Sequence, residues 1–261
     1  MEISLKGKWA VICGSSAGIG LAAAEELAVN GANCILVARN AETLKTCVAQ
    51  LAKHGSQEHG WMAADFSDNE QVKDCFQKII KEHRIEILVN NTGGPKAGPI
   101  LDAAPEVFEQ AFRQHLVNNQ LIAQAVVPGM KQAGYGRIIN IISTSVKTPL
   151  PGLGVSNTTR LAVAAWAKTL ANELGQYNIT VNNVLPGLTN TQRLDDLIAH
   201  TAAAAKKEKD QVAAQMKDSI PMKRFGTPAE IANMVAFLAS PAASYINGTN
   251  IAVDGGRTPA F

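Results

Sequence analysis

Between an apolar run, Trp9-Ala10-Val11-Ile12-Cys13, and an Ala/Leu-rich stretch from Ile19 to Val29, the chain turns through Gly14-Ser15-Ser16-Ala17-Gly18-Ile19-Gly20. A turn of this composition at a strand-to-helix junction is the strongest constraint on the fold. Glycines reach backbone angles closed to other residues and allow another backbone or a ligand to approach closely. The helix that follows offers free N–H groups and the positive end of its dipole at the turn. Together these features seat phosphate. The spacing is G-x-x-x-G-x-G rather than G-x-G-x-x-G, so the assignment rests on the strand–turn–helix context as much as on the glycines.

That context repeats along the chain. Short apolar runs at Cys34–Ala38, Trp61–Ala64, Ile85–Val89, Arg137–Ile142, Thr180–Val184 and Ile251–Val253 read as strands. Helical patterns lie between them at Ala41–His54, Asp68–Lys81, Glu106–Ala133, Asn157–Leu174 and Pro228–Leu238. Continuously apolar strands alternating with helices imply a parallel sheet covered on both faces. Right-handed crossovers make it doubly wound. The expected fold is therefore a three-layer α/β domain of Rossmann type, one domain over residues 1–261. Asn190–Lys223 breaks the alternation. It is Ala-rich, helical in character and follows a strand, where ligands bind in open α/β sheets. A helical substrate lid is expected there, with a plain surface hairpin as the alternative.

Composition excludes several classes. The net charge is +2 and no basic stripe stands out, which argues against nucleic acid as a partner. No stretch approaches the roughly 18 apolar residues of a membrane span. Met1 to Lys6 lacks the apolar run of a secretory signal. Cys13, Cys34, Cys47 and Cys75 match no metal-site spacing, so no metal site is expected. Reduced thiols suggest a cytoplasmic protein.

The second strand ends in Val37-Ala38-Arg39-Asn40. An NAD(H) site would carry an acid here for the ribose 2′-hydroxyl, whereas Arg39 suits a 2′-phosphate, so NADP(H) is expected over NAD(H). Asp65, ending the third strand, is a candidate acceptor for the adenine amino group, or else a cap for the next helix.

Val89-Asn90-Asn91-Thr92-Gly93-Gly94 resembles the N-N-A-G motif of the short-chain dehydrogenase/reductase family. Asn140-Ile141-Ile142-Ser143, Val181-Asn182-Asn183-Val184-Leu185-Pro186-Gly187 and Val253-Asp254-Gly255-Gly256 match further family motifs in order. The whole chain is similar to 3-oxoacyl-carrier-protein reductase-like members. The resemblance implies hydride transfer between NAD(P)(H) and an alcohol/carbonyl pair, in a homotetramer or homodimer. It implies cofactor contacts at Gly14, Ser15, Ser16, Gly18, Ile19, Gly20, Arg39, Asp65, Phe66, Asn90, Asn91, Gly93, Arg160, Pro186, Gly187 and Thr191.

The catalytic set departs from the family. Ser143 matches the family serine. Where Y-x-x-x-K belongs, this chain has Ser156-Asn157-Thr158-Thr159-Arg160, and the asparagine position falls on His115. A serine hydroxyl is a far weaker acid than a tyrosine flanked by lysine. Arg160 keeps a fixed cation with several donors. His115 is the one member expected to titrate near neutrality, and thus to supply or relay a proton through Ser156 or water. A packed, hydrogen-bonded histidine is the alternative. Three functions remain compatible with this set: an oxidoreductase using Ser143, Ser156, Arg160 and His115, a cofactor-binding protein without turnover, or non-redox chemistry such as dehydration or dehalogenation on the same fold.

Overall fold

The computed structural model describes residues 3–259. Seven strands form one parallel sheet: β1 (Trp9–Cys13), β2 (Asn33–Ala38), β3 (His59–Ala63), β4 (Ile87–Asn90), β5 (Gly136–Ile141), β6 (Ile179–Pro186) and β7 (Asn250–Val253). Their order is β3-β2-β1-β4-β5-β6-β7. The direction of winding therefore reverses between β1 and β4, and a crevice opens at their C-terminal ends.

Helices α1 (Gly18–Val29), α2 (Ala41–Gln50) and α9 (Pro228–Ala239) cover one face. Their buried side chains, among them Leu27, Leu44 and Val235, pack on Ile12, Leu36 and Val89. Helices α3 (Asn69–Glu82), α5 (Asn118–Ala133) and α6 (Gly154–Leu174) cover the other. There Phe76, Val126 and Ala167 pack on Val11, Leu88 and Ile138. Apolar side chains on both surfaces of β1, β2 and β4 produce the unbroken hydrophobic runs of the sequence. Among the described residues no helix is long and apolar enough to cross a membrane.

Several boundaries differ from the sequence expectation. Helix α2 stops at Gln50 rather than His54, and α6 starts at Gly154 rather than Asn157. Capping of α3 falls to Asp68, whose side chain accepts from Glu70 N and Gln71 N. Asp65 is thus not the cap: its Oδ1 accepts from the Ser67 N–H and hydroxyl. The expected single helix from Glu106 to Ala133 is α4 (Pro105–Phe112) and α5 joined by a π-helical turn, Arg113–Val117. A π turn loosens the ladder locally. Asn118 Nδ2 compensates by donating to the Gln114 carbonyl at 3.2 Å and to the Phe66 carbonyl at 2.7 Å.

Four in-register asparagines cross the sheet. Asn90 Nδ2 donates to Asn140 Oδ1, Asn140 Nδ2 to Asn183 Oδ1, and Asn183 Nδ2 to Asn250 Oδ1, each at 2.8 Å. Buried amides of this kind cost stability unless paired. The ladder pairs most of them and ties β4 to β7 beside the crevice. Asn90, expected to touch cofactor, uses its side chain here.

Candidate active site

The glycine turn is held by its neighbours. Ser15 hydroxyl donates to the Ile12 carbonyl at 2.8 Å and accepts from Val37 N at 3.0 Å, stitching the turn to β1 and β2. Asn91 Nδ2 donates to the Cys13 and Gly14 carbonyls at 3.3 and 3.1 Å, stitching it to the end of β4. Both side chains shape the turn from behind, so Ser15 is a scaffold rather than a side-chain contact. A Cβ at Gly14 would collide with the Asn91 carbonyl, and one at Gly20 with the Gly14 carbonyl. Gly18 has φ +57°, and a Cβ there would sit 3.3 Å from Thr191 Cγ2. Left-handed backbone costs an L-residue about 1–2 kcal/mol. Gly18→Ala is therefore expected to lose about that much stability in urea unfolding, together with affinity for NADPH. Unchanged unfolding would show that the turn relaxes.

A cavity of about 820 Å³ opens beside this turn. Its wall includes Gly14, Gly18, Ile19, Asn91, Gly93, Ser143, Ser156, Arg160, Pro186, Gly187 and Thr191 from the sequence-derived set. Ser16, Gly20, Arg39, Asp65, Phe66 and His115 are not part of that wall. Phe66 is a core residue packed with Cys75 and Phe76. Arg39 is exposed just past β2 and lies near enough to Asp65 to help lower its pKa, behind the two bonds from Ser67.

The side of the cavity away from the glycine turn is apolar and comes partly from residues the sequence did not mark. Helices α7 (Gln192–Ala205) and α8 (Lys209–Asp218) fold on a small core of Leu194, Ile198, Val212 and Phe225. They bring Arg193, Leu197, His200 and Met216 to the wall, opposite Leu150 and Pro151.

Ser156 and Arg160 stand one turn apart on α6, a spacing that places both on one helix face. Arg160 is 8% exposed. Its guanidinium donates to the Ile141 carbonyl at 3.0 Å and the Thr92 carbonyl at 3.3 Å. It has no ion-pair partner among the described residues. Burial, and then the charge of Arg193, lowers its pKa to about 10, so it stays cationic at neutral pH. Ser143 Oγ accepts from Ser145 N at 3.1 Å and still faces the cavity.

His115 corrects the sequence reading. It lies in the π turn, 2% exposed, with Nδ1 2.6 Å from Thr92 Oγ1 and Nε2 buried without a partner. Burial first, then Arg160 and Arg193, push its pKa down to about 2. A neutral, enclosed ring does not titrate near neutrality. Its bond to Thr92 links it to the site, because the Thr92 carbonyl accepts from Arg160.

A family model described as Enoyl-(Acyl carrier protein) reductase matches residues 14–258. The chain is 34% identical over 258 residues to 3-oxoacyl-[acyl-carrier-protein] reductase FabG of Aquifex aeolicus, covering 98% of this chain and 99% of that one. Among solved structures, L-sorbose reductase from Gluconobacter frateurii, complexed with NADPH and L-sorbose, superposes with a TM-score of 0.93 at 33% identity over the full length of both chains. YwfH, an NADPH-dependent reductase involved in bacilysin biosynthesis, gives 0.92 at 31% identity over 97% of this chain and 99% of its own. With the glycine turn, the N-N-T-G segment and this full-length agreement, the chain belongs to the short-chain dehydrogenase/reductase family.

Proposed function

We propose that the protein is an NADP(H)-dependent oxidoreductase acting on an alcohol/carbonyl pair, with Ser156 and Arg160 where its relatives carry tyrosine and lysine. One observation carries the reading: the glycine turn and the Ser143–Ser156–Arg160 group open into the same cavity. The cradle fits a dinucleotide. Gly14 and Gly20 leave no room for a Cβ, and α1 begins at Gly18 with its N–H groups directed at the turn. The exposed Arg39 suits a 2′-phosphate. L-sorbose reductase and YwfH are NADPH proteins by name, which supports the same choice.

The cofactor supplies the hydride. Ser143 is assigned to hydrogen-bond the reacting carbonyl, and Arg160 to stabilise negative charge developing on its oxygen. Ser156 positions the substrate and a water between them, and that water supplies the proton that completes the alcohol. The helices α7 and α8 act as the lid, closing an apolar wall over the substrate and excluding water. Half-exposed Val107, Val117 and Leu161 on α4 to α6 support an assembly of identical subunits through these helices. Four buried, unbridged cysteines accord with the cytoplasm.

A second reading, cofactor binding without turnover, is favoured by the depressed pKa of His115, which removes the one expected proton donor. Single-turnover oxidation of bound NADPH by a panel of ketones, 2-oxo acids and 3-oxo thioesters separates the two. Oxidation is expected. Tight NADPH binding with no oxidation across the panel would leave only the second reading.

A further inference from the structure

Among the described residues, the cavity wall holds Arg160, Arg193 and Arg257 and no Asp or Glu. Of the three, Arg160 is buried, Arg257 half-buried and Arg193 exposed. A guanidinium taken out of water is costly unless an anion or a full set of acceptors meets it. Arg160 has two carbonyls, and Arg257 Nε is buried with no partner among the described residues. Arg193 leans from the first turn of α7 onto the Gly94 and Pro95 carbonyls at 3.2 and 3.0 Å. Its Nη2 and that of Arg160 would lie 3.0 and 3.4 Å from a Cβ at Gly94, so the two guanidiniums flank one point. The Arg193 charge contributes to lowering the pKa of both Arg160 and His115. Two cations held together without a counter-charge form an anion site.

We propose that the protein takes substrates bearing an anionic group, a carboxylate or a phosphate, seated between Arg160 and Arg193 with the apolar remainder against Leu150, Leu188, Leu197 and Met216. This deepens the reductase reading and rests on it for the reacting carbonyl. The lid is part of the device, because Arg193 belongs to α7.

Benzoylformate and its methyl ester share a ketone and a ring and differ in charge. Calorimetric titration of the NADP⁺-loaded protein is expected to show benzoylformate binding roughly tenfold or more tighter than the ester, since a charge-assisted bond contributes that much. Arg193→Gln should remove most of the difference by lowering the acid's affinity far more than the ester's, while Arg193→Lys restores part of it. Phenyl phosphate in competition with benzoylformate identifies the source: stronger displacement assigns the site to a phosphoryl group, weaker to a carboxylate. Equal binding of acid and ester by the wild type overturns the proposal. So does an Arg193→Gln protein that loses NADP⁺ affinity but keeps the discrimination, because the pair then serves the cofactor. NADPH oxidation is measured separately on the same compounds. Discrimination in binding without oxidation sinks the reductase reading and leaves the anion site standing.

Discussion

His115→Asn is expected to flatten the acid side of the stability profile. In the folded protein burial, then Arg160 and Arg193, hold the ring's pKa near 2. In the unfolded chain it returns to about 6.5. Between those values the unfolded state binds more protons than the folded state, so stability rises with pH across the window. The contribution is complete above about pH 6.5 and drains away on acidification at about 1.4 kcal/mol per pH unit. By about pH 4.5 the wild type should have lost roughly 2–3 kcal/mol more than the variant. Asparagine keeps a polar group facing Thr92 and does not titrate. Urea unfolding of both proteins at neutral pH and at about pH 4.5 measures the difference. His59, also lowered by burial, is present in both and cancels. Equal acid losses would mean that His115 is not held neutral.

The same residue shows where sequence reading stops. Its place in the family asparagine register was legible, and so was a histidine's ordinary pKa. Enclosure by Thr92, Arg160 and Arg193 was not, because these come from the end of β4, from α6 and from α7. The fold was legible for the opposite reason. Apolar runs such as Ile87–Asn90 and Ile179–Pro186 are local, and the glycine turn marks the first crossover unambiguously. The π turn at Arg113–Val117 left no trace in the helical periodicity of Glu106–Ala133. Its compensation comes from one side chain, Asn118. The anion pair was hidden in the same way. Arg193 sits in a segment whose pattern says only helix, and its meaning depends on reaching Gly94 across 99 residues of chain. Among the residues the motifs marked for cofactor, Asn91 lines the cavity, while Ser15 and Asn90 lie behind its wall. Their side chains brace the backbone there, a distinction that a motif does not carry.

Ser156→Tyr with Arg160→Lys is expected to raise the reduction of uncharged ketones by roughly 10²–10⁴-fold, the usual contribution of a general acid. Ser156 faces the cavity one helical turn before Arg160, so a tyrosine there would reach the space shared with Ser143. A phenol has a pKa of about 10 and is brought lower by an adjacent cation, whereas an alkyl hydroxyl stays far above it. The lysine is needed for a geometric reason as well. Arg160 spends its fork on the Ile141 and Thr92 carbonyls and fills the volume beside Ser156. A shorter ammonium group frees part of that volume, at the cost of one carbonyl bond. Ser156→Tyr alone is therefore expected to gain less than the double variant. The exchange should also weaken the preference for benzoylformate over its methyl ester, because the anion loses one of the two guanidiniums that flank it. Turnover of acetophenone and of benzoylformate by wild type, single and double variants reads both effects. A double variant that binds NADPH normally but gains no ketone turnover would show that proton supply does not limit this site. A gain in ketone turnover with the acid preference intact would place the anion elsewhere than on Arg160. The opposed changes expected here tie the two departures of the chain together: the pair that replaced tyrosine and lysine gives up an acid and gains a seat for negative charge.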